Sequence, residues 1–168
     1  MACEIQKSRA KAFDAGQGAG GSVIVRAVRA ADAESWQRMR DALWPDETGG
    51  HAADIQKFFH ETSSAREAVL VAEHEGALVG FVELSLRAYA EGCDSTPVAF
   101  LEGWYVAPDA RGSGVGRALL RAAEEWGRSQ GCTEFASDTE AGNITSAEAH
   151  RACGFDEVSL IRCFKKRL

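Results

Sequence analysis

Apolar residues recur along this chain with two different spacings, and these spacings separate strands from helices. Short apolar or alternating runs bounded by turn residues predict strands, whereas apolar residues three and four positions apart predict helices. The pattern predicts strands over residues 23–28, 68–73, 77–88, 98–106, 133–137 and 158–165. It predicts helices over residues 31–43, 51–61, 113–130 and 143–153. The elements therefore follow in the order β-α-α-β-β-β-α-β-α-β, without an internal repeat.

The length of 168 residues predicts a single domain with one adequate core. No apolar run approaches the roughly 18 residues that span a bilayer, so we expect a soluble protein without membrane contact. Residues 1–22 lack the apolar centre of a secretory signal and end in a glycine-rich run. We interpret residues 1–22 as a mobile N-terminal extension and residues 23–168 as the folded domain.

Charge and cysteine content narrow the class of partner and the compartment. The formal net charge of −6 disfavours nucleic acid as a partner and favours a cationic small molecule. An acidic surface that serves only solubility is the plainer alternative. The five cysteines are odd in number, widely spaced and without a C-x-x-C pair, which argues against a disulfide framework and against a metal site. We therefore expect a reducing cytoplasm and no metal.

A glycine-rich basic turn joins the predicted strand 98–106 to the predicted helix 113–130. Unpaired N–H groups and the positive end of the helix dipole attract anionic oxygen at such a helix N-terminus. The turn has neither the G-K-S/T ending of a Walker loop nor the spacing of a dinucleotide-binding turn. The alternative is a turn that only begins a helix. As a pyrophosphate site, it would use the backbone at Gly112, Gly114 and Gly116 and the guanidinium of Arg111.

Three acidic residues lie in or directly after predicted strands. Glu102 interrupts an apolar strand, where a carboxylate is costly unless it is paired or lines a polar cleft. Asp138 follows the strand 133–137 at its carboxyl end, where ligands enter open α/β sheets. Glu83 adds a third candidate. For each acid alone, a surface or salt-bridge role is the alternative; together they predict a site that holds an ammonium group and takes its proton.

The sequence R-x-x-G-x-G after V-A-P resembles the acyl-CoA pyrophosphate loop of the GNAT superfamily of N-acetyltransferases. The order of elements from Val23 onward is also similar to the GNAT fold. The resemblance implies an α/β (α+β) domain with a mixed central sheet flanked by helices, and acetyl-CoA as co-substrate. It further implies that Trp104, Tyr105 and Val106 present backbone groups to the acetyl and pantetheine portions of the co-substrate, with Asn143 near the pantetheine arm. The residues that it places around the pyrophosphate are Gly112, Ser113, Gly114, Val115, Gly116 and Arg117.

His150 stands where GNAT enzymes usually carry a tyrosine that faces the thioester sulfur. A histidine at this position could protonate the departing thiolate, because the ordinary imidazole titrates near working pH. It could equally be a helix residue that packs on the co-substrate without transferring a proton. The sequence leaves both interpretations open.

Five separated motifs narrow the resemblance to the chromosomal-type aminoglycoside 6′-N-acetyltransferases. These motifs are Leu43-Trp44-Pro45, residues 92–98, residues 100–103, residues 136–139 and His150-x-x-x-Gly154-Phe155. The resemblance implies that Trp44, Glu102 and Asp138 line the antibiotic pocket, and that Tyr89 reaches it from the other subunit of a homodimer. An indole that plugs the end of a helix and an ordinary exposed tyrosine are the alternatives for Trp44 and Tyr89.

The function implied by this resemblance is transfer of acetyl from acetyl-CoA to the 6′-amine of aminoglycosides. The amine, held by Glu102 and Asp138, would attack the thioester directly, because no His/Cys spacing suggests an acyl-enzyme. The alternatives are a GNAT enzyme for another small polyamine or a protein amine, and an acyl-CoA-binding module without turnover.

Overall fold

The central feature of the fold is a six-stranded sheet whose strands lie side by side in chain order. A computed structural model describes residues 13–15, 22–45, 50–60 and 68–167. The strands are β1 (Phe13–Ala15), β2 (Val23–Ala27), β3 (Ala68–His74), β4 (Ala77–Arg87), β5 (Val98–Val106) and β6 (Phe135–Ser137). The helices are α1 (Ala33–Leu43), α2 (His51–His60), α3 (Val115–Ser129) and α4 (Ile144–Ala152).

The sheet is mixed. The strands β1 to β5 pair antiparallel with their neighbours, whereas β5 and β6 are parallel. Parallel neighbours need a crossover, and α3 supplies it between β5 and β6. The predicted α/β (α+β) architecture, a mixed central sheet flanked by helices, is confirmed.

Alternating residues of the strands feed two separate cores, one on each face of the sheet. On one face, Leu119 of α3 packs with Val82 and Leu101. On the other face, Trp36 of α1 packs with Val71 and Phe81. Neighbours in a strand point to opposite faces, which explains how Phe81 and Val82 belong to different cores.

Phe13–Ala15, within the N-terminal extension that the sequence predicts, form a strand that pairs with β2; the rest of residues 1–21 lies outside the described residues. One sequence-based expectation needs correction. The predicted strand 158–165 belongs to no helix or strand. Its apolar spacing is that of a strand, but the large side chains Val158, Leu160, Ile161 and Phe164 are exposed, and no strand among the described residues pairs with this segment.

No helix within the described parts of the chain combines the length and the apolar character needed to cross a membrane.

An ion-pair cluster ties β2 to the entry of α1 and to β3. The guanidinium of Arg26 donates to both carboxylate oxygens of Asp32, at 2.6 and 3.0 Å, and to Glu73 at 2.9 Å. The Asp32 carboxylate also accepts the backbone N–H of Arg29 at 2.7 Å. The hydrogen bond from Arg26 is the main reason that the pKa of Asp32 lies below its ordinary value.

We predict that Asp32→Asn lowers the free energy of unfolding by about 1–2 kcal/mol at pH 7. A depressed pKa in the folded state means that the carboxylate stabilises fully above the unfolded pKa of about 3.9 and loses this contribution as the pH falls through the folded pKa. The difference between wild type and variant should therefore shrink in acid. Urea unfolding at several pH values measures it, with Glu34→Gln at the exposed Arg38–Glu34 pair as control. A difference that stays constant with pH would contradict the prediction.

Candidate active site

The site begins where β6 ends and β5 continues. The two strands pair only over Ala99–Leu101 and Phe135–Ser137, and the last pair is Leu101 with Ser137. Beyond it β5 runs on to Val106, and the described residues supply no strand on that side. Apart from the Val106 carbonyl, which accepts a hydrogen bond from Arg111, the backbone N–H and C=O groups on this edge of residues 104–106 are therefore open to a ligand.

A cleft of about 640 Å³ opens along this edge. It is bounded by the end of β5, by the turn that precedes α3 and by one face of α4. The lining residues are Leu43, Trp104, Tyr105, Val106, Arg111, Gly112, Gly114, Gly116, Arg117, Asn143, Thr145, Ser146, Ala149, Ala152 and Cys153. Most of the residues predicted to bind the co-substrate thus lie on one cleft.

The turn at the start of α3 requires glycine for its backbone. Gly112 has φ +76° and Gly114 has φ +91°, both in the left-handed region that residues with a Cβ rarely adopt. This turn aims the free N–H groups of the first turn of α3 into the cleft, flanked by Arg111 and Arg117. Such a cradle of amides and arginines suits a diphosphate.

Gly116 has a different role, because it lets Trp104 lie against α3. A Cβ at this position would come within 2.9 Å of Cζ2 of the indole. The buried indole N–H of Trp104 donates to no described residue. Trp104 thus forms a wall of the cleft, and its indole N–H is an unpaired hydrogen-bond donor among the described residues.

Two of the predicted residues in this glycine-rich turn point their side chains away from the cleft. Val115 is 2% exposed and belongs to the α3 core, and the Ser113 hydroxyl donates to the carbonyl of Ala110. Only their backbone groups remain for a ligand. Arg111 donates its Nε to the carbonyl of Val106 at 3.0 Å, which holds this side chain at the end of β5.

The opposite wall is the face of α4 that Asn143 begins. The Asn143 side chain caps the helix by accepting the N–H of Ser146 at 3.1 Å, and it also lines the cleft. Thr145, Ala149, Ala152 and Cys153 complete this face. Sequence reasoning missed these four, although small residues at helical spacing on the predicted helix 143–153 are a usable signal for a close-fitting ligand.

Glu102 and Asp138 both follow the last rung between β5 and β6. The register between β4 and β5 shifts here, with Glu83 opposite Gly103 and Leu84 opposite Leu101, so that Glu102 is the extra residue of a β-bulge. A bulge re-aims a side chain and often lies beside an active site. Asp138 directly follows Ser137, the last residue of β6, and makes no hydrogen bond or ion pair with any described residue.

Glu102 is already paired within the chain. Arg87 donates to its two oxygens with Nε at 3.0 Å and Nη2 at 2.6 Å, and the Ser85 hydroxyl donates to it as well. Sequence reasoning missed Ser85 and Arg87. They alternate along β4 on the face that Glu83 shares, but their proximity to Glu102 depends on the bulge.

Glu83 does not line the cleft, which corrects the expectation that it contacts the substrate. It is 1% exposed, accepts the indole N–H of Trp36 at 3.0 Å and pairs with Nε of Arg40 at 3.2 Å. The Arg40 guanidinium lies 5.3 Å from the ring of Trp44. Glu83 therefore belongs to the buried support of Trp44.

Trp44 directly follows α1 and lies over the strand that carries Glu102. A Cβ on Gly103 would come within 2.5 Å of its ring, so a glycine is needed where β5 passes beneath the indole. His51 stacks on the same ring at 6.1 Å between centroids. The structure thus places Trp44 against Gly103, the residue after Glu102, whereas Tyr89 lies beyond the end of β4 and is 65% exposed.

His150 lies between the cleft wall and the last rung of the sheet. Its Nδ1 is 2.7 Å from the carbonyl of Ser146, and its Nε2 is 3.0 Å from the hydroxyl of Ser137. A carbonyl only accepts, so Nδ1 carries a proton in this arrangement. The ring also meets Trp104 edge to face at 5.4 Å.

Among the residues described, no group of three or more histidine, cysteine, aspartate or glutamate side chains is arranged to hold a metal ion.

Comparison with known proteins gives one consistent family. A model of the acetyltransferase (GNAT) family matches residues 36–155. An aminoglycoside N(6′)-acetyltransferase type 1 of Klebsiella aerogenes is 52% identical over 149 residues, which cover 88% of this chain and 98% of that protein. The protein with this name from Stenotrophomonas maltophilia is 44% identical over 147 residues, or 86% of this chain and 93% of that protein.

Solved structures agree with the sequence comparison. AAC(6′)-Iy in complex with the bisubstrate analogue CoA-S-monomethyl-acetylneamine matches with a TM-score of 0.80 at 36% identity, over 87% of this chain and 99% of that one. AAC(6′)-IG from Acinetobacter haemolyticus matches with a TM-score of 0.79 at 34% identity, over 86% and 98% of the two chains.

Proposed function

Because this chain belongs to the GNAT family of acetyltransferases, we propose that it transfers the acetyl group of acetyl-CoA to the 6′-amine of aminoglycoside antibiotics. The observation that carries this proposal is the fork formed where β5 and β6 separate beyond Leu101 and Ser137. A cleft for a diphosphate-bearing substrate opens along the free edge of β5, and the carboxylates Glu102 and Asp138 follow the last paired residues. Acetylation of this amine removes a positive charge from the drug, and this is the chemistry of resistance.

The cleft fits acetyl-CoA as a substrate. The amides of residues 112–117 and the side chains of Arg111 and Arg117 hold the diphosphate, while Asn143 and the open edge of Trp104–Val106 hold the pantetheine arm. Acetyl-CoA supplies the activated acetyl group. A backbone N–H on the open edge of β5 stabilises the oxyanion that develops on its carbonyl oxygen.

Glu102 and Asp138, the acids at the fork, bind the cationic antibiotic, and deprotonation of its 6′-ammonium group produces the nucleophile. A protonated 6′-amine docks at Asp138 and Glu102, and Asp138 takes its proton directly or through water. The free amine then attacks the acetyl carbonyl and the C–N bond forms. As the C–S bond breaks and the CoA thiolate departs, the nitrogen gives its second proton to water and becomes the amide. We propose that His150 returns a proton to that thiolate, since its ring adjoins Trp104 on the wall of the cleft.

We also propose that the enzyme acts as a homodimer in which Tyr89 reaches the pocket of the other subunit. Support comes from the exposed tyrosine and from the apolar side chains of residues 158–164, which a second copy would cover. Val158 of this segment packs on Gly92, close to Tyr89 in the chain. Sedimentation velocity should give twice the 18.0 kDa chain mass, and a purely monomeric protein would contradict the proposal.

A cytoplasmic location follows from the proposed co-substrate and from the thiols. Cys93, Cys132, Cys153 and Cys163 are free, which suits a reducing compartment. Burial raises the pKa of the Cys93 and Cys132 thiols, so these two side chains are poor nucleophiles.

Neomycin and paromomycin test the proposed reaction as a matched pair, because they differ only in an amine or a hydroxyl at the 6′ position. We predict that neomycin is acetylated, with a single added acetyl at the 6′-nitrogen, and that paromomycin reacts roughly a hundredfold more slowly or less. Release of CoA measures the rates, and mass spectrometry counts the acetyl groups. Equal rates, or turnover of a lysine peptide and not of neomycin, would contradict the assignment.

The role of Asp138 gives a second prediction. Asp138→Asn should lower kcat/KM for neomycin by about 10²- to 10⁴-fold, because the amide cannot accept the proton of the ammonium group. Calorimetry should show unchanged affinity for CoA. Asp41→Asn, on the exposed side of α1, is the charge-matched control and should behave as wild type. Wild-type turnover by the Asp138 variant would remove this carboxylate from the mechanism.

A further inference from the structure

Glu102 meets the pocket with most of its hydrogen-bonding capacity already used. A carboxylate offers about four acceptor positions. Arg87 occupies two of them with Nε and Nη2, and Ser85 occupies a third. A substrate ammonium that approaches this carboxylate therefore meets an occupied site and a resident positive charge.

Arg87 is held in this place by two features besides the carboxylate. Its guanidinium carbon lies 3.3 Å from the centroid of the Phe100 ring, a cation–π contact. The shifted register places Ser85 opposite Phe100, and no residue of β4 lies directly opposite Glu102 in the register. The side chains of Ser85, Arg87 and Glu102 converge as a result. The Arg87 side chain is 38% exposed and that of Glu102 is 29% exposed, so solvent and substrate reach the pair.

The fork between β5 and β6 consequently holds two carboxylates with unequal free charge. Arg87 neutralises Glu102, whereas Asp138 has no ion-pair partner among the described residues. A bidentate arginine–carboxylate pair also fixes the orientation of the carboxylate and occupies both of its oxygens. The two acids are therefore suited to different tasks.

We propose that Arg87 is a resident cation that competes with the aminoglycoside for Glu102. It sets an upper limit on the affinity for the drug and leaves Asp138 as the carboxylate that accepts the proton of the amine. To reach Glu102, an ammonium group of the drug must displace a hydrogen bond that Arg87 donates, or share the carboxylate with Arg87. This inference rests on the proposed function, and it identifies Arg87 as a residue that determines affinity and not as a catalytic residue.

Removal of the Arg87 charge tests the inference. Arg87→Gln should lower KM for neomycin by roughly threefold to fivefold, because the variant loses a like charge next to the drug. The gain should shrink towards unity at about 1 M salt, where the Debye length is about 3 Å. A purely structural role would instead raise KM or lower the melting temperature, with no dependence of the KM ratio on salt.

A double-mutant cycle isolates the coupling between the two residues. Glu102→Gln alone leaves Arg87 uncompensated and should raise KM, whereas the same change in the Arg87→Gln background should raise it less. Arg128→Gln, which breaks the exposed pair with Glu124 on α3, is the matched control and should leave KM unchanged. The Arg87 and Glu102 variants should bind CoA as wild type does, which separates drug binding from co-substrate binding.

The outcomes distinguish this inference from the proposed function. If wild type acetylates neomycin and Arg87→Gln leaves KM unchanged or raises it, the competition by Arg87 is wrong and the function stands. If wild type does not acetylate any drug with a 6′-amine, the proposed function fails first. Independent effects of the two substitutions in the cycle would likewise overturn the inference.

Discussion

The separation of β5 from β6 beyond Leu101 and Ser137 is the constraint on which both binding regions depend. If pairing continued, the backbone of residues 104–106 would be used in ladder hydrogen bonds and could not serve a ligand. Because the strands part, the edge of β5 becomes a wall of the cleft. Glu102 directly follows Leu101 and Asp138 directly follows Ser137, so each acid comes immediately after the last pair of residues between the two strands.

A chain with a net charge of −6 has to bind a polyanion and a polycation within a short distance of each other. The fold does so by using different groups at the two ends of the site. Backbone amides, arginines and the dipole of α3 lie at the proposed phosphate end, where left-handed glycines give the turn its shape. Carboxylates lie at the proposed amine end, and Arg87 forms an ion pair with one of them, Glu102. Net charge alone would have predicted only the second partner.

Much of this arrangement could be predicted from the sequence, because it is encoded locally. Apolar spacing gave the bounds of β4, β5 and α3 to within a few residues, and glycine spacing indicated the phosphate turn. The errors arise where long-range pairing decides. The bulge at Glu102, its pairing with Arg87 and the burial of Glu83 depend on strand register, which no local pattern reports. Residues 158–165 have the spacing of a strand, but no strand within the described part of the chain pairs with them.

A crystal structure of the full chain with CoA tests this arrangement most directly. The diphosphate should lie against the N–H groups of residues 112–117, and the pantetheine arm should run along the open edge of Trp104–Val106 between β5 and α4. Density for the nucleotide elsewhere on the molecule, or a β5 edge filled by further strand pairing in the complex, would contradict it.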